Sequence, residues 1–362
     1  MQLQNLWLTN FRSHADISLP LSDGLTVICG PNGIGKTNLL EAISLLSTMK
    51  SFRGANSEAM IRLGHDSAVV RADGIRDDRE ILIELELSKG RTRAQVNRQR
   101  LRRSKDLLGA LRTTVFAPDD LALIKAGPGL RRTYLDQILV SLDPAFDSVL
   151  SDLERSLKHR NALLRQAHGR LDESGALTLD VWDERFGAVG QQVVDRREAL
   201  ADTLIPQVSR AYEQLASQTV PLALEYRRSW PVGTLADALT ANRAADVQRG
   251  VTQAGPHRDD LDVLLDLMPA RATASQGEQR TLALALRLAA HQLVTDRLGE
   301  PPLLLLDDVL SELDPDRAHA LLTNLPAGQA VITTATLGPE ADQADQVLLF
   351  DKEANVAPRG MS

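Results

Sequence analysis

Cysteine is almost missing from this 362-residue chain: its single copy, Cys29, cannot close an internal disulfide. That excludes a disulfide-stapled scaffold and fits a reducing compartment, with Cys29 filling space in a strand. Long apolar runs are missing too. The densest segments, Leu303 to Leu306 and Leu282 to Ala290, fall far short of the roughly 18 residues a membrane span needs, and Arg287 interrupts the second. The opening Met1-Gln2-Leu3-Gln4-Asn5-Leu6 lacks the basic start and apolar stretch of a secretory signal, so a cytoplasmic protein without a membrane partner is expected. No internal repeat stands out, and no heptad run is sustained long enough for an extended coiled coil. A basic excess is also absent, since the net charge is −7 and the pI is near 5.6. Nucleic-acid binding would therefore have to come from local clusters. Two exist. Lys89, Arg91, Arg93, Arg98, Arg100, Arg102, Arg103 and Lys105 follow one another with no acid between them, and Arg131, Arg132, Arg155, Lys158, His159, Arg160 and Arg165 form a second group. Either cluster fits a solvated face as readily as a phosphate-binding one.

What is present is globular in kind, with 43% hydrophobic and 25% charged residues over a length that suits two domains or one domain split by an insertion. The start alternates as strands do through Leu3, Leu6, Leu8, Ile17 and Leu19, with a turn near Asn10 to His14. An apolar strand, Leu25 to Cys29, precedes a glycine-rich turn and a helix in which Leu39, Leu40, Ile43 and Leu46 recur at helical spacing. Residues 67–72, 79–88 and 91–97 read as an antiparallel layer. Long helical patterns then run through roughly 121–250, interrupted near Gly169 to Gly175 and at Pro206. After Gly255-Pro256 strands return at 262–267, 303–307, 329–333 and 346–350. The pattern predicts an α/β head built from residues 1–120 and 251–362, with residues 121–250 inserted as a helical arm.

Residues 30–37 read G-P-N-G-I-G-K-T, the G-x-x-x-x-G-K-[ST] pattern between a strand and a helix. Gly30, Pro31, Asn32, Gly33, Ile34 and Gly35 would curl the backbone so that its N–H groups and the following helix dipole face one anion. Lys36 would reach the β and γ phosphates of ATP, and Thr37 would bind Mg²⁺. The buried run Leu303 to Leu306 ends in Asp307-Asp308, which places Asp307 to hold Mg²⁺ through water and Asp308 to orient or deprotonate the attacking water. Between these motifs, Ser275-Gln276-Gly277-Glu278-Gln279 precedes a Leu- and Ala-rich helix, and Leu310-Ser311-Glu312-Leu313-Asp314 follows the acids. A serine at a helix start is an ordinary cap taken alone. In this order and spacing the set reads as an ABC-type P-loop ATPase.

These motifs, with Asn10-Phe11-Arg12-Ser13, Phe116-Ala117-Pro118-Asp119-Asp120-Leu121, Arg131-Arg132 and Gly255-Pro256-His257-Arg258-Asp259-Asp260-Leu261, resemble the ABC ATPases of the SMC and Rad50 class. Within that class the chain is similar to the RecF family of bacterial recombinational repair proteins over almost its whole length. The resemblance implies an ATP-dependent homodimer with slow, DNA-stimulated hydrolysis that binds duplex DNA near single-strand gaps. It also implies cooperation with RecR and RecO in loading RecA. By motif, Lys36, Thr37, Asp307 and Asp308 carry the ATP and Mg²⁺ chemistry. Ser275, with Gln276 and Gly277, would reach the γ-phosphate held by a partner, and Arg12 would lie near the nucleotide. Arg131, Arg132, Lys158 and Arg160 are the candidate DNA contacts. Asp119 or Asp120 stands in the Q-loop region, and His257 and Arg258 fit a structural turn as well as catalysis or DNA contact. Asp308 where transporters carry Glu, and Thr333-Thr334-Ala335-Thr336 where they carry a histidine, imply weak hydrolysis. A transporter nucleotide-binding subunit and a chromosome-holding SMC-like protein are the competing readings; the helical insertion and basic clusters argue against the first, the short arm against the second.

Overall fold

The computed structural model describes residues 1–230, 232–350 and 356–358. They form two compact units, one from Met1–Leu121, Arg210–Thr219 and the chain from Gln276 onward, the other from Ala122–Ser209 and Val220–Ser275. The chain thus rejoins the first unit briefly at Arg210–Thr219 and again from Gln276, where residue 251 was expected.

The first unit holds two six-stranded sheets. One is antiparallel, in the order His14–Pro20, Gln2–Phe11, Ser67–Arg76, Arg79–Ser88, Arg91–Val96, Gln99–Arg100. Its strands alternate buried and half-exposed residues, as one-sided sheets do. The other runs Val356–Pro358, Gln346–Phe350, Leu25–Cys29, Ala330–Thr334, Leu303–Asp307, Thr113–Phe116, parallel except for its first member. Its three central strands are buried at every position, which explains why they read as unbroken apolar runs. The helix Lys36–Thr48 packs against both sheets and is buried from Leu39 through Leu46, so nearly its whole middle is core. Because Leu25–Cys29, Ala330–Thr334 and Leu303–Asp307 are neighbours running in one direction, their carboxyl ends bring the glycine loop, Thr333 and Asp307 to one edge.

The second unit contains the helices Pro128–Leu142, Phe146–Gln166 and Leu235–Arg249, most of the helix Glu173–Ala216, and a three-stranded antiparallel sheet. Two expectations are corrected here. The segment expected as a head strand at 262–267 is Asp260–Leu265, and it pairs antiparallel with Leu222–Arg227 inside this unit. Its alternation of buried Leu261, Val263 and Leu265 with half-exposed neighbours belongs to a half-covered sheet, not to the doubly covered parallel one. Pro206 does not end its helix. Burial of Leu200, Leu204 and Val208 along one face offsets the backbone hydrogen bond that proline forgoes.

Candidate functional site

After Cys29 the backbone hydrogen-bonds once more to the neighbouring strand, Gly30 N–H to Thr334 O at 3.2 Å, and then curls through Gly33 (φ 82°) and Gly35 (φ 112°) into the helix at Lys36. Both angles lie in the left-handed region that favours glycine. A Cβ on Gly35 would stand 2.6 Å from Ser13 Oγ and 2.8 Å from His14 Nε2, so the turn from the first strand closes on the loop from behind. His14 is buried there, 3.1 Å from Gly35 O, and burial lowers its pKa. Lys36 is 6% exposed, and its ammonium donates to its own loop carbonyls, Gly30 O at 2.6 Å and Pro31 O at 3.1 Å. Burial lowers its pKa, while Asp308, Cys29 and Asp307 oppose that shift. A polyphosphate offers this cation better acceptors than the two carbonyls.

Opposite the loop, Asp307 Oδ1 accepts from Thr37 Oγ1 at 2.9 Å and from Thr333 Oγ1 at 2.8 Å. Burial raises the Asp307 pKa, and those two hydroxyls pull it back. Asp308 is held in a left-handed conformation, φ 49°, and its Oδ1 is buried without a hydrogen-bond partner among the described residues. These groups line a cleft of about 450 Å³ together with Asn32, Gly33, Gly35, Asn38 and Arg53. The combination fits nucleotide and metal: backbone N–H groups and two cations on one wall, and hard oxygen donors with an unsatisfied carboxylate oxygen on the other. Thr37 and Asp307 are the residues that would hold Mg²⁺.

Two lining residues escaped the sequence reading. Arg53 follows the helix on a loop, donates to Asn38 Oδ1 at 3.2 Å and stands 4.0 Å from Glu41. Thr333 stands out in the sequence only as the absence of a histidine. Arg12, expected near the nucleotide, does not line the cleft. It makes a two-pronged bond to the wholly buried Glu41, at 2.8 and 2.7 Å, and donates to Ala59 O. A buried carboxylate requires such a partner, and Arg12 is consumed by it. Asp120 is likewise committed, accepting from Ala117 N–H and from Arg287, whereas Asp119 is exposed. Gln276 and Gly277 open the helix Gln276–Leu298 and do not line the cleft of their own chain; Ser275, just before them, is exposed.

The family described as RecF/RecN/SMC N terminal domain matches residues 2–354. The chain is 42% identical to the DNA replication and repair protein RecF of Streptomyces avermitilis, with 93% of this chain and 94% of that protein covered. The chain belongs to the RecF family. A second RecF, from Pseudarthrobacter chlorophenolicus, is 37% identical across all of this chain and 99% of its own. Among solved structures, the ATP complex of the recombination mediator protein RecF in the RecFOR pathway superposes with a TM-score of 0.90 at 30% identity, covering 99% of this chain and 98% of that one. The expected fold class, an ABC-type head with an antiparallel layer and an inserted helical arm, is what this RecF-family chain has.

The candidate DNA contacts fare differently. Arg131 is 6% exposed and binds both carboxylate oxygens of Asp260, at 2.8 and 2.9 Å, with Nη1 donating to Leu123 O and Ala126 O. Arg132 donates to Asp259 O at 2.6 Å. Arg160 is 0% exposed and joins Asp183 at 2.6 Å to Asp246 and Thr252 at 2.8 Å. Arg131 and Arg160 are therefore internal ties, not phosphate contacts, because desolvated guanidinium groups bind the acids buried with them. Lys158 alone of the four is exposed. His257 packs edge-on against Phe186, and burial pushes its pKa down to about 4; Arg258 donates to Thr252 O. The other basic cluster stays open. It forms the outermost hairpin of the antiparallel sheet, where Asn97 and Arg98 make a left-handed turn (φ 49° and 64°) between Arg91–Val96 and Gln99–Arg100. Arg91, Arg98, Arg100 and Arg102 are exposed there and have no ion pair among the described residues, unlike Arg93, Arg103 and Lys89.

Proposed function

We propose that this chain is an ATP-dependent DNA-binding repair protein, a weak ATPase that dimerises on binding ATP, engages duplex DNA near single-strand gaps and, with RecO and RecR, promotes RecA loading. The observation that carries the reading is the cleft, in which a glycine-loop cation site faces an acid pair with one unsatisfied buried oxygen. Family membership supports the repair role. Among the described residues no helix is long and apolar enough to cross a membrane.

In this reading the loop N–H groups bind the phosphates, and Lys36 leaves the carbonyls of Gly30 and Pro31 for them. Mg²⁺ supplies charge neutralisation when bound. Asp308 takes the proton of the attacking water on its unpartnered oxygen. The exposed Ser275 completes the site of a second copy. Ser275→Arg should accordingly leave ATP binding by dilute monomer within about twofold of normal while abolishing ATP-dependent dimerisation and hydrolysis. Sedimentation with ATP, ADP and no nucleotide reads this directly. Loss of ATP binding by the monomer would show that the serine acts within its own chain.

DNA engagement is assigned to the open hairpin. Replacing Arg98, Arg100 and Arg102 together by Ala should weaken duplex binding and flatten the log K against log salt slope by up to about three. Fluorescence anisotropy on gapped duplex, titrated at several salt concentrations, measures it. An unchanged slope in a folded variant would remove the hairpin from the DNA interface.

A further inference from the structure

Thr333 lies one residue before the end of the strand Ala330–Thr334 and is wholly buried, yet its hydroxyl is used twice on the acid pair. The proton goes to Asp307 Oδ1 at 2.8 Å, and a lone pair accepts the Asp308 N–H at 3.0 Å. One hydroxyl has a single proton to give, so these two bonds fix its direction. Thr37 Oγ1 lands on the same Asp307 oxygen at 2.9 Å, which pins that carboxylate from both sides. The second bond acts on the backbone. Asp308 sits at φ 49°, a left-handed conformation that Asp tolerates better than most residues with a Cβ, and the Thr333 hydroxyl is the group that holds its N–H. The unpartnered Asp308 Oδ1 is aimed by that same backbone turn.

We infer that Thr333 is a positioning residue for hydrolysis, orienting both Asp307 and Asp308 from the neighbouring strand with a hydroxyl spent on those two acids. The inference rests on the ATPase reading and goes beyond it. Valine keeps the branched shape that suits a buried strand and removes only the hydroxyl; serine keeps the hydroxyl and removes only a methyl. This separates packing from orientation.

The experiment compares wild type, Thr333→Val and Thr333→Ser in ATP turnover, in ATP binding by calorimetry with Mg²⁺ and with EDTA, and in hydrogen exchange of the nucleotide-free segment 305–312. Thr333→Val should lower kcat by about ten- to a hundredfold, as slight misplacement of reacting groups does. Its KM and its ATP affinity in EDTA should stay within about threefold, because the lost interaction acts on the reaction rather than on ground-state binding. Thr333→Ser should restore kcat to within about threefold of wild type. In the nucleotide-free protein, exchange of the segment should quicken in the valine variant and not in the serine variant. On an Asp308→Asn background, Thr333→Val should cost less than it does in the wild type, since the part of its effect that acts through Asp308 is already lost. Wild-type kcat in the valine variant, or a serine variant as slow as valine, overturns the inference while leaving the ATPase reading intact. Absence of ATP binding by the wild type overturns that reading, and this inference with it.

Discussion

Asp308→Asn should bind ATP within about threefold of wild type and hydrolyse it about 10²- to 10⁴-fold more slowly, the range general-base catalysis contributes. The substitution is informative because it changes so little else. Asn adopts the left-handed conformation at least as readily as Asp, so the backbone at φ 49° is undisturbed. The Thr333 hydroxyl still accepts the same N–H. What disappears is the carboxylate oxygen that has no partner among the described residues and can take a proton. Single-turnover measurement with radiolabelled ATP separates the chemical step from product release. Wild-type turnover would exclude Asp308 from the reaction and leave its buried oxygen unexplained.

The second large effect is on stability and lies in the other unit. Arg160→Met should destabilise the protein by about 3–5 kcal/mol, because removing one member of a buried ion pair leaves the other charged and desolvated. Asp246 is 0% exposed, and once Arg160 is gone its carboxylate keeps the Gln253 N–H as its one hydrogen-bond donor among the described residues. Asp183 retains Arg243 at 3.4 Å. Methionine keeps the apolar stem of the side chain without its charged head, so the loss reflects chiefly the stranded acids. Denaturant unfolding monitored by circular dichroism reads it. A variant that unfolds like wild type but binds DNA poorly would return Arg160 to the DNA interface and contradict its burial.

Sequence is informative about the phosphate site and silent about the buried arginines. The phosphate loop and the acid pair were legible because their chemistry is local: glycines at fixed spacing, a lysine after them, and an apolar run whose burial on both faces leaves only its end to carry acids. The arginines were not, since a basic cluster says nothing of its partners. Arg131 pairs with Asp260, 129 positions away, and Arg160 with Asp246, 86 away. The strand Leu222–Arg227 was hidden within a stretch dominated by helical periodicity, and with it went the correct placement of Asp260–Leu265. Arg53 belongs to no pattern at all. It reaches the cleft only because the chain reverses after the helix Lys36–Thr48 and brings it back beside Asn38.

The order of the parallel sheet governs how the chain can be made. Leu25–Cys29, which leads into the phosphate loop, is flanked on one side by Ala330–Thr334 and on the other by Gln346–Phe350. During synthesis it therefore emerges some 300 residues ahead of both neighbours. The strand's five buried residues have no sheet to enter until nearly the whole chain has left the ribosome, whereas the second unit has all of its strands and helices by Ser275. At roughly 5–20 residues per second the apolar strand waits on the order of half a minute, a window in which it is exposed to aggregation or to chaperones. Nucleotide competence is thus acquired last, and a chain truncated before residue 330 should lack the sheet that positions the loop, however intact the motif at its start.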